Sequence, residues 1–327
     1  MTSTDAGHGP SFTRRTASCL LALGLVLSTS AFAQKAIEMI LPIGAGGAMD
    51  TASRAIGEEL AKKWGESVIP INKPGGGMVP AVRYVLDQGA PDGRTLLAAG
   101  LPFTISQFRT GGPAFLADEL APVAYIGSQD YVLYIRNGIP ANTMQEFVAW
   151  ARANPQGVAF ASSGVGSSNH LTAEELAVKA GFKMTHVPYT GSGTFMPALM
   201  GGHVDAVFDA PSSRQHVISG KIKAMMFASD KPYPSWPELQ TSAAAGLAGY
   251  RAGTWYGFLV PAKTPAIVQN RLNADINEAL RAPAVRARLL QLGIAPGGGP
   301  REDFARLLQS ESARIGAVIK GRNIPIN

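Results

Sequence analysis

The sequence predicts an α/β protein built from two domains, and three features support that fold class. Strand-like and helical runs alternate along most of the chain, which is typical of helices packed on mainly parallel sheets. The chain has 327 residues, more than one hydrophobic core usually serves. A strand, a glycine-rich loop and a helix start occur twice, at residues 42–50 and 162–169. We therefore expect two halves of one pocket.

The first part of the chain predicts three strands and two helices. Strands are expected over residues 36–42, 68–72 and 94–99, and helices over residues 51–64 and 80–86. The first helix places apolar side chains on one face at intervals of three or four residues. Runs of proline and glycine follow the second strand and precede the third, and they end the neighbouring segments.

The remainder continues the same alternation. Residues 122–136 contain long apolar stretches that suit a strand passing from one domain to the other. After them we expect helices over residues 143–153, 170–180, 264–281 and 301–320, and strands over residues 158–161, 186–189, 204–208 and 221–228. The last of these strands is expected to return to the first domain.

These elements predict where the domains begin and end. Residues 34–133 together with residues 230–327 are expected to form domain 1, and residues 134–229 to form domain 2, inserted between the two segments. The chain then crosses twice between the domains. Two crossings predict a hinge.

The first 33 residues read as a signal peptide. Arg14 and Arg15 precede an apolar run over residues 17–27, which ends at the Ala31-Phe32-Ala33 cleavage pattern. We expect Sec-type export, cleavage near Ala33 and a periplasmic protein. The single cysteine, Cys19, lies in this leader, so the mature protein is expected to have no disulfide and no cysteine metal ligand.

Composition excludes several classes of function. The net charge of +6 comes from lysines and arginines scattered along predicted helices, which argues against nucleic-acid binding and favours steering of small anions. Histidine spacings suggest no metal site, and the common hydrolase, nucleotide-binding and metalloprotease motifs are missing. We expect no cofactor and no catalytic residue.

The two glycine loops are the candidate binding elements. Glycines let backbone N–H groups point outward at the positive end of the following helix, a geometry that attracts anions. In the first loop Asp50 stands at the N-cap position and is expected to fix the loop. In the second loop Ser163, Ser167 and Asn169 add hydroxyl and amide donors, so contact with a carboxylate is favoured there.

Several ordered motifs resemble the substrate-binding proteins of the tripartite tricarboxylate transporter system, also called the Bug family. The resemblance covers essentially the whole mature chain. It rests on residues 42–50, 72–75, 91–97, 163–171, 186–189, 201–205, Asp209 and 261–272.

This resemblance implies a fold and a site. The fold is that of type II-like periplasmic binding proteins, in which two α/β domains close on a small ligand in a cleft between them. The ligand is a small carboxylate, such as an organic, aromatic or amino acid, and the partner is an inner-membrane permease. The implied ligand-binding residues are Ile43, Ala45, Gly46, Gly47, Ala48, Asp50, Ser163, Gly164, Gly166, Ser167, Asn169, Tyr189, Thr190 and Asp209.

Departures from the family pattern bear on the ligand. Ile43 and Gly44 stand where an aromatic residue and a proline are usual, and Met49 where a hydroxyl residue is common. The first loop is therefore expected to be less polar than the second. We expect a monocarboxylate or an aromatic acid in preference to citrate, because burying a charge without donors is costly.

Two alternatives stay open at this point. The protein could report ligand occupancy to a sensor instead of serving transport. Less favoured is an α/β enzyme that uses Ser163 or Ser167 as nucleophile, with His170 or His186 as the base. We expect a monomer in each case.

Overall fold

The computed structural model describes residues 36–326. In chain order its strands are β1 Ile37–Leu41, β2 Val68–Asn72, β3 Thr95–Gly100, β4 Leu120–Asp130, β5 Val132–Arg136, β6 Val158–Ser162, β7 Met184–Pro188, β8 Ala206–Asp209, β9 Ile222–Phe227, β10 Gly253–Pro261 and β11 Ala295–Pro296. Its helices are α1 Ala48–Trp64, α2 Val79–Gln88, α3 Leu101–Ile105, α4 Met144–Ala153, α5 Ser168–Ala180, α6 Ser192–Met200, α7 Arg214–Ile218, α8 Ala266–Arg281, α9 Pro283–Gln291 and α10 Arg301–Arg322. The predicted signal peptide lies outside the described residues.

The strands form two sheets. One has six strands in the order β11-β4-β10-β3-β1-β2, and the other has five in the order β7-β6-β8-β5-β9. The prediction of mainly parallel sheets is wrong, because β4, β5, β9 and β10 all pair antiparallel with their neighbours. These four strands flank the two passages between the sheets. Strand β4 carries the chain out of the six-stranded sheet and β10 brings it back at the same edge, so these two neighbouring strands run in opposite directions. The same holds for β5 and β9 in the five-stranded sheet.

The strand directions bring the two glycine loops to facing edges. In the first sheet β1 and β3 are parallel, β10 opposes β3, and β4 opposes β10, so β4 ends at the edge where β1 ends. In the second sheet β6 and β8 are parallel and β5 opposes β8, so β5 begins where β6 ends. Tyr131 alone separates β4 from β5. The edges that carry the two loops therefore adjoin.

Apolar clusters cover both faces of each sheet. In the six-stranded sheet, Met39 and Phe258 face α1, α8 and α9, whereas Ile40 and Leu259 face the side covered by α10. The five-stranded sheet divides in the same way, with Leu133 on one face and Tyr134 on the other. Four apolar clusters result, one on each face of each sheet. The domain boundaries at residues 133/134 and 229/230 stay a prediction.

Five of the six predicted helix starts differ from the structure by one to three residues. Helix α1 begins at Ala48, not at residue 51, with Gly47 as its N-cap, so Asp50 lies in its first turn and is not the cap. Helix α8 begins at Ala266 after Pro265. No helix in the described part of the chain is long and apolar enough to cross a membrane.

Candidate functional site

The first glycine loop leaves the start of α1 open. Gly44, Ala45, Gly46 and Gly47 are exposed, and Gly46 adopts a φ of +88°. No side chain among the described residues caps α1 at Gly47. The amides of a first helical turn have no partner within the helix. They therefore remain available to an anion, in a loop with few polar side chains.

Asp50 holds this loop from behind. Its Oδ2 accepts the Gly46 amide at 2.9 Å, Arg54 Nε lies 3.0 Å from both carboxylate oxygens, and Asn72 Nδ2 donates to Oδ1 at 2.9 Å. Burial alone would raise the pKa of Asp50, but these hydrogen bonds outweigh it and lower the pKa to about 2. The carboxylate is thus engaged inside the protein. The expectation that Asp50 fixes the loop fits this geometry, although the residue acts from inside the helix.

The second loop uses its polar groups internally. Asn169 Oδ1 accepts the Ser163 amide at 3.2 Å, the Ser163 hydroxyl at 3.1 Å and the Ser167 hydroxyl at 2.8 Å. Ser167 also caps α5, because its Oγ accepts the His170 amide at 3.4 Å. The donors that were expected to make this loop the more polar side of the pocket are largely satisfied before any ligand arrives.

The glycines of the second loop have conformational roles. Gly164 and Gly166 have φ values of +119° and +75°, which side chains rarely adopt. The Gly164 amide donates to Ser162 Oγ at 3.1 Å, and the Gly166 amide to His170 Nδ1 at 3.1 Å. Gly166 is buried. Both amides already have partners within the protein.

The other predicted site residues lie beside the second loop. The Tyr189 amide donates to the Ser162 carbonyl at 2.9 Å, which ties the two segments together. Thr190 is exposed, with its hydroxyl 3.3 Å from that of Thr194. Asp209 ends β8 and accepts the Ser213 hydroxyl at 2.6 Å, and burial raises its pKa. The predicted residues therefore form two groups, one around each loop.

Helix α3 lies against both groups and was missed as a site element. A Cβ on Gly100, just before α3, would lie 3.0 Å from Met49 Cε of α1. At the other end of α3, Ile105 Cγ2 is 3.9 Å from the Cβ position of Gly166. Five helical residues span about 7.5 Å. The sequence offers only a weak signal for this helix, a Gly-Leu-Pro-Phe run at residues 100–103 directly after the third predicted strand.

A tyrosine between the two sheets also reaches this region. The Tyr131 hydroxyl lies 2.8 Å from the Ser168 hydroxyl at the start of α5. Burial raises the pKa of Tyr131 to about 12, so it stays a neutral hydroxyl group. Sequence reasoning treated this stretch only as a crossing strand. Nothing in its apolar pattern marks one tyrosine as facing a loop about 40 residues later.

Comparison with known proteins identifies the family. The family described as "Tripartite tricarboxylate transporter family receptor", TctC, matches residues 52–324. The chain belongs to this family. The resemblance inferred from the sequence motifs is thereby confirmed.

Relatives of this TctC chain extend over nearly its whole length. The UPF0065 protein in the tcbD-tcbE intergenic region of Pseudomonas sp. strain P51 is 33% identical over 306 residues, which cover 90% of this chain and 91% of the relative. The R. palustris protein Rpa4515, solved with adipate, is 26% identical with a TM-score of 0.77 and covers 89% of this chain and 98% of its own. MatC of Rhodopseudomonas palustris, solved with malate, is 29% identical with a TM-score of 0.71, covering 87% and 98%. The predicted two-domain periplasmic solute-binding fold is confirmed.

Two histidines lie beneath the second loop of this TctC chain. The rings of His170 and His186 stack with centroids 3.7 Å apart, and His186 Nε2 is 2.5 Å from Ser162 Oγ. Burial and the neighbouring His170 lower the pKa of His186 to about 4. Within residues 36–326, neither Ser163 nor Ser167 hydrogen-bonds to a histidine side chain. The serine that does, Ser162, is fully buried.

Among residues 36–326, no group of three or more His, Cys, Asp or Glu side chains could hold a metal ion. A cavity of about 520 Å³ lies between Tyr233 and Ile294, next to the ion pair of Asp130 and Arg251. It is lined by neither glycine loop, so it is separate from the candidate site.

Proposed function

We propose that the chain captures one small carboxylate between the two glycine loops and delivers it to an inner-membrane transporter. The observation that carries this proposal is the uncapped start of α1 behind the exposed loop at Gly44–Gly47. Its free first-turn amides suit a carboxylate. Membership of the receptor family supports the proposal, and two structural neighbours solved with adipate and malate support the ligand class.

The ligand is proposed to carry one buried carboxylate and an otherwise apolar body. Met49 is buried against Gly100, and Ile43 Cδ1 lies 3.1 Å from the Cβ position of Gly47. Arg54, the cation nearest the first loop in sequence, is engaged by Asp50 and Asn72. A second or third carboxylate would find few donors beside these residues and would be costly to bury.

A thermal-shift screen of purified protein tests this proposal. Benzoate, adipate, malate and citrate are the probes, and a ligand at 100 times its Kd is expected to stabilise the protein by about 2.7 kcal/mol. For a chain of this size that corresponds to a Tm increase of roughly 4–5 °C. Large shifts with adipate, malate and citrate and none with benzoate would contradict the proposed ligand body.

Matched glycine variants locate the site. Gly46→Val fills the exposed first loop, where a Cβ meets no atom within 4 Å, at a φ of +88°. Gly220→Val imposes a similar strain at a φ of +69°, also without neighbours, after α7. We expect the first variant to abolish the ligand-induced shift and the second to retain it. Equal shifts in both variants would move the site away from the first loop.

The proposal extends to the export, the oligomeric state and the catalytic inactivity of the protein. The protein is proposed to be exported through a signal peptide cleaved near Ala33 and to act as a monomer. It is also proposed to have no enzymatic activity, and the internal hydrogen bonds of Ser163 and Ser167 support this. Conversion of a bound acid, abolished by Ser163→Ala, would contradict it. A sensor role would appear as ligand-dependent binding to a signalling protein in place of a permease.

A further inference from the structure

Gly166 is held from two sides. Its amide donates to His170 Nδ1 at 3.1 Å, so Nδ1 is the acceptor nitrogen of this ring and Nε2 faces away from the loop. On the other side, Ile326 Cδ1 lies 3.0 Å from the position that a Cβ on Gly166 would occupy. The backbone φ of +75° at this glycine is therefore set between a hydrogen bond and an apolar contact.

A polar chain continues from His170 to helix α10. His170 Nε2 lies 3.6 Å from Glu174 Oε1, and Arg322 Nε donates to Glu174 Oε2 at 2.6 Å. Burial alone would raise the pKa of Glu174, but the neighbouring His170 and the hydrogen bond from Arg322 outweigh it and lower the pKa. Glu174, in the middle of the contacts that lead from Arg322 to the Gly166 amide, therefore stays a charged carboxylate.

The segment after α10 brings Ile326 to the loop. Asn323 adopts a left-handed conformation, and the Ile324 amide donates to the Ile319 carbonyl at 3.0 Å, which turns the chain back on the helix. The Thr110 amide donates to the Ile326 carbonyl at 2.7 Å. Ile326 is only 5% exposed and belongs to the same apolar cluster as Leu171 of α5. Its position is therefore fixed by both backbone and side chain.

We propose that Arg322 and Ile326 are positioning residues of the binding site, which hold Gly166 and the second glycine loop in the conformation that meets a carboxylate. Arg314 of α10 pairs with Glu175, so the same two helices are joined at a second point. The consequence for ligand affinity rests on the proposed function. The positioning of the loop does not, and it can be measured without ligand.

Amide hydrogen exchange followed by NMR tests the positioning. In Arg322→Gln and in Ile326→Ala, the amides of residues 163–167 are expected to exchange at least tenfold faster than in the wild type. Lys320→Gln is the matched control, because it removes a charge from an exposed position on the same helix. Arg322→Lys keeps the charge beside Glu174 and is expected to restore part of the protection.

The amides of β3 separate positioning from a general loss of stability. They lie in the buried middle of the first sheet and are expected to exchange at wild-type rates in all four variants. The proposal is overturned if residues 163–167 exchange alike in Arg322→Gln and Lys320→Gln, or if β3 accelerates as much as the loop. If the exchange rates of the double variant Glu174→Gln/Arg322→Gln equal the sum of the two single effects, the proposed link from Arg322 through Glu174 to the loop is overturned. Two residues of one network are expected to give non-additive effects, because either substitution alone already breaks it.

Binding of adipate and malate provides the second readout. If the wild type binds either acid, Arg322→Gln is expected to weaken that binding about tenfold, mainly through faster release. Unchanged affinity in this variant would overturn the assigned role in binding. If benzoate is the acid that binds, the same tenfold weakening is expected for benzoate. If benzoate, adipate, malate and citrate all fail to bind the wild type, the proposed function fails, whereas the exchange rates still decide whether Arg322 and Ile326 position the loop.

Discussion

Asp50 and Asn169 occupy equivalent positions in the two glycine loops. Each lies in the first turn of its helix, and each accepts a loop amide on a side-chain oxygen, from Gly46 and from Ser163 respectively. They differ in charge, since Asp50 is ionised and Asn169 is neutral. The ion pair with Arg54 offsets that difference, so a carboxylate approaching the first loop meets a neutralised site rather than a repelling one.

Asp50→Asn is expected to lower the free energy of unfolding by about 1–2 kcal/mol at neutral pH, allowing for solvent around Arg54. The pKa of Asp50 falls from 3.8 to about 2 on folding. Its contribution is therefore complete above pH 3.8 and is lost as the pH falls toward 2. Urea unfolding at pH 7 and pH 3 measures the difference. Asp118→Asn, at an exposed position, is the control, and an equal loss there would contradict the assignment.

His186 is expected to make the protein less stable in acid. Its pKa falls from 6.5 to about 4 on folding, so the folded protein disfavours the protonated ring. The stabilisation is complete above pH 6.5 and declines as the pH falls toward 4, by about 2 kcal/mol. Thermal unfolding of wild type and His186→Gln between pH 4 and pH 7 measures the contribution of His186 to this loss of stability. Parallel pH profiles would show that His186 does not contribute.

At the scale of elements, α10 packs unusually close to the first sheet. A Cβ on Gly257 of β10 would lie 2.2 Å from Phe304 Cζ and 2.9 Å from the Ala124 carbonyl oxygen. Gly316 faces Phe108 in the same way, at 2.7 Å. Gly257 lets the start of α10 lie close to β10, and Gly316 lets its later part pack on Phe108 in the turn after α3. That close fit fixes the helix that carries Arg322.

Gly257→Ala is expected to lower the free energy of unfolding by about 1–3 kcal/mol, because the backbone of Ala124 cannot move aside as a flexible side chain can. Chemical denaturation measures this loss. Gly193→Ala, at a position with no atom within 4 Å of the added Cβ, is expected to change stability by less than about 0.5 kcal/mol. Similar losses in both variants would mean that the close contact with Phe304 is relieved at little cost.

The sequence predicted most elements but not all their relationships. Glycine and proline runs delimit β2 and β3, so their bounds agree with prediction to within a residue. Strand direction in the first sheet depends on Tyr256 pairing with Gly100, a distant pairing that local patterns do not encode. Whether the donors of the second loop are free for a ligand is likewise not encoded in local patterns. Composition counts the donors of Ser163 and Ser167, but only the fold shows that Asn169 takes them.

At the scale of the whole molecule, the two passages between the sheets predict a hinge motion. Tyr131 alone connects β4 to β5, whereas residues 228–252 connect β9 to β10. Small-angle scattering of the protein is expected to show a smaller radius of gyration when a stabilising carboxylate saturates it. The Gly46→Val variant is expected to show no change under the same conditions. An unchanged radius in the wild type would indicate that ligand binds without closure.

The central place of β10 also sets the order in which the chain can fold. This strand lies between β3 and β4, and it is made only after all five strands of the second sheet. Until it emerges, β4 has no neighbour that joins it to β1, β2 and β3, whereas the second sheet can already assemble. Contacts of such long sequence separation slow folding. We therefore expect the second sheet to form first, with the open edge of β3 a target for chaperones in the interval.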